Sequence, residues 1–137
     1  MCTSRTSPRI SHLIVSCSEG AGWVAQLRDR IEQHESGTPQ FRLGLWRATF
    51  DTPSYKHFFE SPGESTWSYN LLGSESIVVD RACSKSYIAI LADDKKSRVV
   101  EDVKSIIKKG DGLVWTDEEK GEFNYPYKTY VVIARKK

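Results

Sequence analysis

The chain has 137 residues, of which 39% are hydrophobic, and its formal net charge is +2. This length and apolar content predict one soluble globular domain, with residues 11–137 folded around a single core and residues 1–10 flexible. Lys and Arg are interspersed with Asp and Glu, so no basic stripe indicates nucleic acid as a partner. No apolar run approaches the ~20 residues that cross a bilayer, which predicts a cytoplasmic protein without membrane contact.

The thiols and imidazoles are scattered along the sequence. Cys2, Cys17 and Cys83 are odd in number and lack Cys-x-x-Cys spacing, and the three histidines do not cluster. This pattern indicates reduced cysteines in the cytosol and argues against a disulfide framework or a metal site. Residues 1–18 have the basic, serine-rich bias of a transit peptide, but they run into Leu13-Ile14-Val15, which favours a short buried strand.

In chain order, the first predicted elements are a strand, a glycine turn and a helix. The strand covers His12–Ser16, and an amphipathic helix begins at Trp23 and ends near Ser36-Gly37. The Gly-Ala-Gly turn between them lacks the spacing of a dinucleotide loop, so a simple chain reversal is favoured.

An aromatic segment with interleaved arginines follows, over residues 38–55. A short helix or irregular turn is predicted for residues 44–50. Its aromatic side chains could stack on a ligand, although a satellite cluster that covers a sheet edge is the commoner use of such a segment. Thr66–Leu72 alternates with period two and polar positions between, which indicates a strand at the edge of the sheet.

The second half of the chain predicts two helices and a central strand. Ser74 can cap the first helix, which extends toward Leu91, and the second runs from Asp93 to Lys109 and stops at Gly110. After a polar, hairpin-like loop, residues 127–134 are apolar on both alternating sets. This pattern predicts an inner strand with helices on both faces.

Three segments of the sequence resemble a known family in the correct order. They are Gly22–Asp51, Val79–Leu91 and Phe123–Lys136. Together they make residues 11–137 similar to the C-terminal half of class I S-adenosylmethionine-dependent methyltransferases, of the fungal methyltransferase-11 or trans-aconitate-methyltransferase-like type.

The resemblance implies an α/β fold, an incomplete Rossmann-like lobe. We expect a three-stranded mixed sheet in the family order 5-7-6, with the last strand antiparallel and central, and about three to four helices. The first strand, His12–Ser16, would then be an open edge, which predicts a homodimer or a partner chain that pairs there.

The family's cofactor is S-adenosylmethionine, and the half of the fold that holds it has no counterpart among these segments. The resemblance therefore implies a truncated or partial methyltransferase that acts on a small molecule when the missing half completes it. No cofactor is expected to bind this chain alone. The alternative is a non-catalytic binding or interaction module derived from the same fold.

Five side chains are candidates for contact with a substrate: Trp23, Trp46, Arg81, Ser86 and Tyr87. The resemblance places the last three near the substrate pocket. Structural roles are equally open, with Arg81 paired to Asp80 or Glu101 and Tyr87 packed in the core. No catalytic acid, base or nucleophile is predicted, because Cys83 has no nearby histidine and Asp93-Asp94 sits where a helix begins.

Overall fold

A computed structural model describes residues 22–35, 37 and 43–137, and the backbone of residues 10–17. The expectation of flexibility for residues 1–10 falls almost entirely outside this part of the chain. The elements are β1 (Ile10–Cys17), α1 (Gly22–Glu32), a 3-10 helix (Leu45–Asp51), α2 (Pro53–Phe58), β2 (Gly63–Gly73), α3 (Glu75–Cys83), α4 (Ser86–Ala89), α5 (Asp93–Lys109), β3 (Trp115–Asp117) and β4 (Glu122–Arg135).

The last strand lies between the first strand and the second. The sheet order is β1-β4-β2 with antiparallel neighbours, and β1 pairs with β4 from Ile10 opposite Arg135 to Cys17 opposite Lys128. This confirms the predicted central position of the final strand. The mixed, three-stranded description needs correction, because the neighbours are antiparallel and the short strand β3 also pairs with the start of β4.

The described part of the chain contains six helical segments, more than the three to four expected. The helix predicted from Ser74 toward Leu91 is split, because Lys85 adopts an extended backbone between α3 and α4. Helix α2 was missed, although Thr52 accepts a hydrogen bond from the Tyr55 amide and Pro53 occupies the first helical position. That pair is a common start signal for a helix. No described helix has the length and apolar character needed to span a membrane.

By its contacts, the chain divides into two compact units. One contains residues 10–17, 43–67 and 128–137, and the other contains residues 22–35, 37 and 68–127. We refer to them as the terminal unit and the helical unit. Strands β2 and β4 contribute residues to both.

The helical unit has a core formed by α1, α3, α4, α5 and the first half of β4. Helix α5 carries Asp93 and Asp94 in its first turn and two lysines in its last turn, which suits the helix dipole. It ends at Gly110, whose φ of 62° favours glycine. The buried side chains of the core are Trp23, Val24, Leu27, Ile31, Val78, Ala82, Ile88, Val99, Val103, Ile107, Phe123, Tyr125 and Tyr127.

Helix α1 is hydrogen-bonded near both ends to residues that are distant in sequence. At its start, the Trp23 amide donates to the Asp111 carbonyl at 2.8 Å, and Gln26 Nε2 donates to Asp111 Oδ2 at 3.0 Å. Near its end, Arg30 Nε donates to Asp102 Oδ2 of α5 at 2.6 Å. These bonds supply an acceptor for an N-terminal amide that a helix cannot satisfy internally.

The terminal unit is held together by aromatic contacts and by main-chain bonds to the end of the chain. Tyr55 is edge-on to Phe50 at 5.0 Å and stacks on Phe59 at 5.1 Å. The Glu60 amide donates to the Arg135 carbonyl at 2.8 Å. These contacts attach the residues that follow α2 to the last residues of β4.

The edge strand β2 and the central strand β4 differ in how far their residues are exposed to solvent. In β2, ten of eleven residues are exposed and only Gly73 is buried, as expected for an edge strand. In β4, Phe123, Tyr125 and Tyr127 are buried in the helical unit, whereas Val132 and Ala134 are buried in the terminal unit. Each half of β4 thus buries one alternating set and leaves the other half-buried, whereas cover on both faces was predicted for residues 127–134.

Candidate functional site

The candidate site is centred on Arg81, an exposed residue in the last turn of α3. Its guanidinium carbon lies 4.8 Å from the ring centroid of Tyr127 and 5.6 Å from that of Tyr125. Both distances are within the range over which an aromatic ring attracts a cation. The sheet thus presents two adjacent rings of β4 to one cationic side chain of α3.

Tyr125 and Tyr127 are only 7% and 8% exposed. The hydroxyl of Tyr127 interacts with that of Tyr125, and the positive charge of Arg81 acts on both hydroxyls. Burial raises the pKa of both hydroxyls above its ordinary value, and the neighbouring Tyr125 raises the pKa of Tyr127 further. Both side chains are therefore neutral at physiological pH, so the charge of the site is that of Arg81.

Tyr69 adds a third ring from β2. It stacks on Tyr127 with a centroid distance of 6.1 Å and an interplanar angle of 24°. Unlike the other two rings it is 43% exposed. We call Arg81, Tyr69, Tyr125 and Tyr127 the Arg81–tyrosine cluster.

Arg81 has no carboxylate partner among the described residues. The ion pairs of this part of the chain, with N···O distances up to 4.0 Å, do not include Arg81. The expected pairing with Asp80 or Glu101 is therefore not seen. Arg81 is exposed, and among the described residues its guanidinium lies against the rings of Tyr125 and Tyr127.

The structure places Ser86 and Tyr87 in the single turn of α4. Ser86 is exposed, and Tyr87 is half-buried against the core of the helical unit. Burial raises the pKa of Tyr87, and the charges of Glu32 and Glu35 raise it further. Tyr87 has the packing role that was the alternative to substrate contact.

Trp23 lies in the core and touches the cluster from inside. It is fully buried, with its ring 5.1 Å from that of Tyr125 and edge-on to Phe123 at 5.5 Å. Its Nε1 atom is buried without a hydrogen-bond partner. Trp23 therefore supports Tyr125 and is not exposed to a ligand in this structure.

Trp46 belongs to the terminal unit. Its ring lies 4.5 Å below the Arg47 guanidinium and edge-on to Phe50 at 5.8 Å, and Arg47 also pairs with Glu64 of β2. These contacts place Trp46 in an aromatic cluster of the terminal unit.

Sequence reasoning selected Arg81 but missed the three tyrosines that surround it. Tyr127 was interpreted only as a strand residue and Tyr125 was placed before the strand, although their spacing of two places both on one face of a strand. This spacing of two residues is the sequence feature that could have identified the pair of tyrosines. What the sequence could not show is that α3 brings an arginine onto that face.

Metal chemistry has no support in the described residues. No group of three or more His, Cys, Asp or Glu side chains there could hold a metal ion. Cys83 is a free, half-buried thiol in α3. The chemical capacity of the cluster is the binding of an anion by one guanidinium.

A scan against protein-family models finds no match to this chain. A search of curated proteins likewise finds no significant match.

Proposed function

We propose that this chain forms the C-terminal lobe of a class I S-adenosylmethionine-dependent methyltransferase that acts on a small molecule. The observation that supports the proposal is the strand order β1-β4-β2, with the last strand antiparallel and central. It is the order that the family resemblance implies for its fifth, seventh and sixth strands.

This order is informative because it is not the simplest one. Strands that follow each other in sequence are neighbours in a sheet about two-thirds of the time. Here β1 and β2 are consecutive long strands, yet β4 separates them. A plain antiparallel meander would have placed β2 in the centre.

The residues of this chain would serve the acceptor and not the cofactor. In the proposed enzyme, the other half of the fold binds S-adenosylmethionine, which supplies the methyl group. The Arg81–tyrosine cluster would bind and orient the acceptor. Orientation of two reactants can supply a large share of a rate enhancement, so this role needs no acid or base from the chain.

The test compares two proteins by isothermal titration with S-adenosylmethionine. One is this chain, and the other is this chain joined to the segment encoded directly upstream in its genome. We expect binding only by the joined protein, together with transfer of labelled methyl groups to a pool of small acceptors. A folded joined protein that neither binds the cofactor nor transfers methyl groups would refute the proposal.

A second candidate function is a non-catalytic binding module, and the exposure of β2 favours it. Trp67 and Leu72 are 54% and 56% exposed on this edge strand. An exposed apolar edge is a template for another strand. This function predicts that the joined protein lacks methyl transfer while the chain captures an extended peptide.

A further inference from the structure

We propose that the terminal unit carries a docking surface for an anionic lipid bilayer, formed by the end of α2 and by residues 135–137. Its exposed side chains are those of Lys56, Phe58, Arg135, Lys136 and Lys137. We call these five residues the Phe58 patch. The proposal goes beyond the proposed function and does not rest on it, because the patch concerns neither the cofactor nor the acceptor.

Main-chain contacts hold the two parts of the Phe58 patch side by side. The Lys137 amide donates to the Phe58 carbonyl at 3.0 Å, and Lys136 forms a bridge with Phe59. The Lys137 ammonium also donates to the Lys56 carbonyl at 2.7 Å. The backbone around Phe58 is therefore ordered before a partner arrives, so docking loses little backbone freedom.

The terminal unit has an excess of cations, in contrast to the helical unit. Its described residues include six Lys or Arg and three Asp or Glu, whereas those of the helical unit include eleven Lys or Arg and fourteen Asp or Glu. Of the three acids in the terminal unit, Glu64 is paired with Arg47, and Asp51 lies 3.6 Å from Lys56. The third acid is Glu60. Such an uneven distribution of charge favours an anionic partner for the terminal unit.

The cations of the patch are available to that partner. Residues 135–137 are exposed, and their side chains form no ion pair with a carboxylate among the described residues. Lys56 is paired only with Asp51, and exposed pairs of this kind contribute little. Each Lys or Arg near an anionic bilayer strengthens binding about fivefold. The four cations of the patch thus suit a surface of negatively charged headgroups.

Phe58 favours a bilayer over other anionic partners. Its side chain is 53% exposed, and the His57 ring lies edge-on to it at 4.6 Å. At a bilayer surface such a ring enters the acyl boundary while the lysine ammonium groups stay among the headgroups. A single-stranded nucleic acid is held instead by a series of rings on which successive bases stack. The patch offers one benzyl ring, since Tyr55 is buried and Phe59 is half-buried.

The patch is not visible as a basic stripe in the sequence. Lys56 and residues 135–137 are about 80 positions apart, and the fold brings them together. The expectation of no membrane contact depended on the lack of an apolar run long enough to cross a bilayer. A surface contact made by a few cations and one ring needs no such run.

The experiment measures how much of the native chain sediments with vesicles of phosphatidylcholine in which about one lipid in three is phosphatidylserine. Vesicles of phosphatidylcholine alone are the uncharged control. A single-stranded oligonucleotide and polyglutamate are tested as competitors that lack an apolar interior. We expect about tenfold or tighter binding to the charged vesicles, and we expect added salt to reduce this difference by screening.

The contribution of charge is tested by two double variants. Lys136→Gln combined with Lys137→Gln should weaken binding to the charged vesicles about tenfold or more, because two cations are lost. Lys108→Gln combined with Lys109→Gln removes an exposed lysine pair at the end of α5 and changes the net charge of the chain equally. This control should bind as the native chain does, since its lysines belong to the helical unit.

The contribution of the ring is tested separately. Phe58→Ser should weaken vesicle binding about fivefold at every salt concentration, because the apolar contact is not screened. Ile90→Ser removes a side chain that is 84% exposed in the helical unit and should leave binding unchanged. Circular dichroism establishes that each variant is folded, and the two lysine pairs provide the answer if Phe58→Ser is not.

Four results would overturn the inference. They are equal binding to charged and uncharged vesicles, equal losses for the two lysine pairs, unchanged binding by a folded Phe58→Ser variant, and displacement from the vesicles by either competitor at matched charge concentration. The last result would assign the patch to a nucleic acid or to an acidic peptide. A joined protein that transfers no methyl groups would refute the proposed function and leave the docking surface standing.

Discussion

Gly73 lies so close to Phe123 that a Cβ atom built on it would stand 2.8 Å from a ring carbon. The same atom would be 3.2 Å from the Cβ of Tyr125. Real Cβ atoms do not approach other atoms this closely, and the Phe123 ring is only 1% exposed and cannot move aside. Contact between the end of β2 and the core of the helical unit therefore requires a residue without a Cβ atom at position 73.

We predict that Gly73→Ala destabilises the protein by about 1–3 kcal/mol, the usual cost of overpacking a core. The matched control is Gly63→Ala at the other end of the same strand, where a Cβ would have no atom within 4 Å. Its effect should stay within about 0.5 kcal/mol. Urea unfolding followed by circular dichroism measures both, and equal midpoints would contradict the close packing of Gly73.

The second prediction concerns one methyl-bearing side chain in two environments. Val103 in α5 is fully buried, whereas Val114 is 57% exposed. Val103→Ala should cost about 1–3 kcal/mol, because it removes two buried methyl groups and leaves a cavity. Val114→Ala should be nearly neutral. A smaller loss for Val103→Ala than for Val114→Ala in urea unfolding would show that α5 is not part of the core.

The third prediction is a loss of stability at alkaline pH. The pKa of Tyr127 is raised in the folded protein by burial first and by the neighbouring Tyr125 second, whereas in the unfolded chain it is about 10. The stabilisation is therefore complete below pH 10 and is lost as the pH rises above it. The slope is at most about 1.4 kcal/mol per pH unit for each such tyrosine.

Tyr127→Phe should flatten this pH dependence, because a phenyl ring cannot ionise. Tyr69→Phe is the control, since Tyr69 is 43% exposed and Tyr127 only 8%. Free energies of unfolding between about pH 9 and pH 11.5 provide the measurement. Parallel curves for the native protein and Tyr127→Phe would argue against a buried hydroxyl at this position.

The fourth prediction is self-association through the outer edge of β1. Among the described strands only β4 pairs with β1, which leaves the main-chain groups of its other edge open to a second chain. We expect a dimer by light scattering, and we expect Ile14→Lys to dissociate it without unfolding. Ile90→Lys, at a site that is 84% exposed, should leave the dimer intact. A native monomer, or a dimer that Ile14→Lys leaves unchanged, would reject this edge.

Several parts of the fold followed from local signals in the sequence. Ser74 caps α3 by accepting from the Ile77 amide, and α5 runs from Asp93 to Lys109 with Gly110 behind it. These features depend on residues close in sequence, which is why the pattern was sufficient. The position of β2 at the edge of the sheet was likewise predicted from the polar residues at its alternate positions.

The burial of β4 could not be read in the same way. Residues 123, 125 and 127 are buried in one unit, and residues 132 and 134 are buried in the other. Over the whole strand, both alternating sets therefore contain apolar residues. The same sequence pattern is expected of a strand that is buried on both faces. The change of buried set between the two halves of β4 depends on what packs against each half, and the sequence of a single strand does not contain that information.

The start of the last strand was also misjudged, because residues 127–134 were predicted and Pro126 lies inside the strand. The strand begins at Glu122, and its pairings with β3 and β1 involve residues 122–123 and 128–135. Pro126 falls between these two ladders, where its missing N–H removes no bond to either strand. The hairpin of β3 with β4 agrees with the hairpin-like loop expected before the last strand, although no strand was predicted for residues 115–117.

The hydrogen bonds that fasten α1 to Asp111 bear on the order in which the protein forms. Gln26 and Asp111 are 85 positions apart, and Asp111 also accepts from the Trp23 amide. Since a chain is synthesised from its N-terminus, the first turn of α1 is made long before its acceptor leaves the ribosome. Helix α1 therefore gains its N-terminal partner only after β2, α3 and α5 have been synthesised, so the first helix of the described residues is completed among the last.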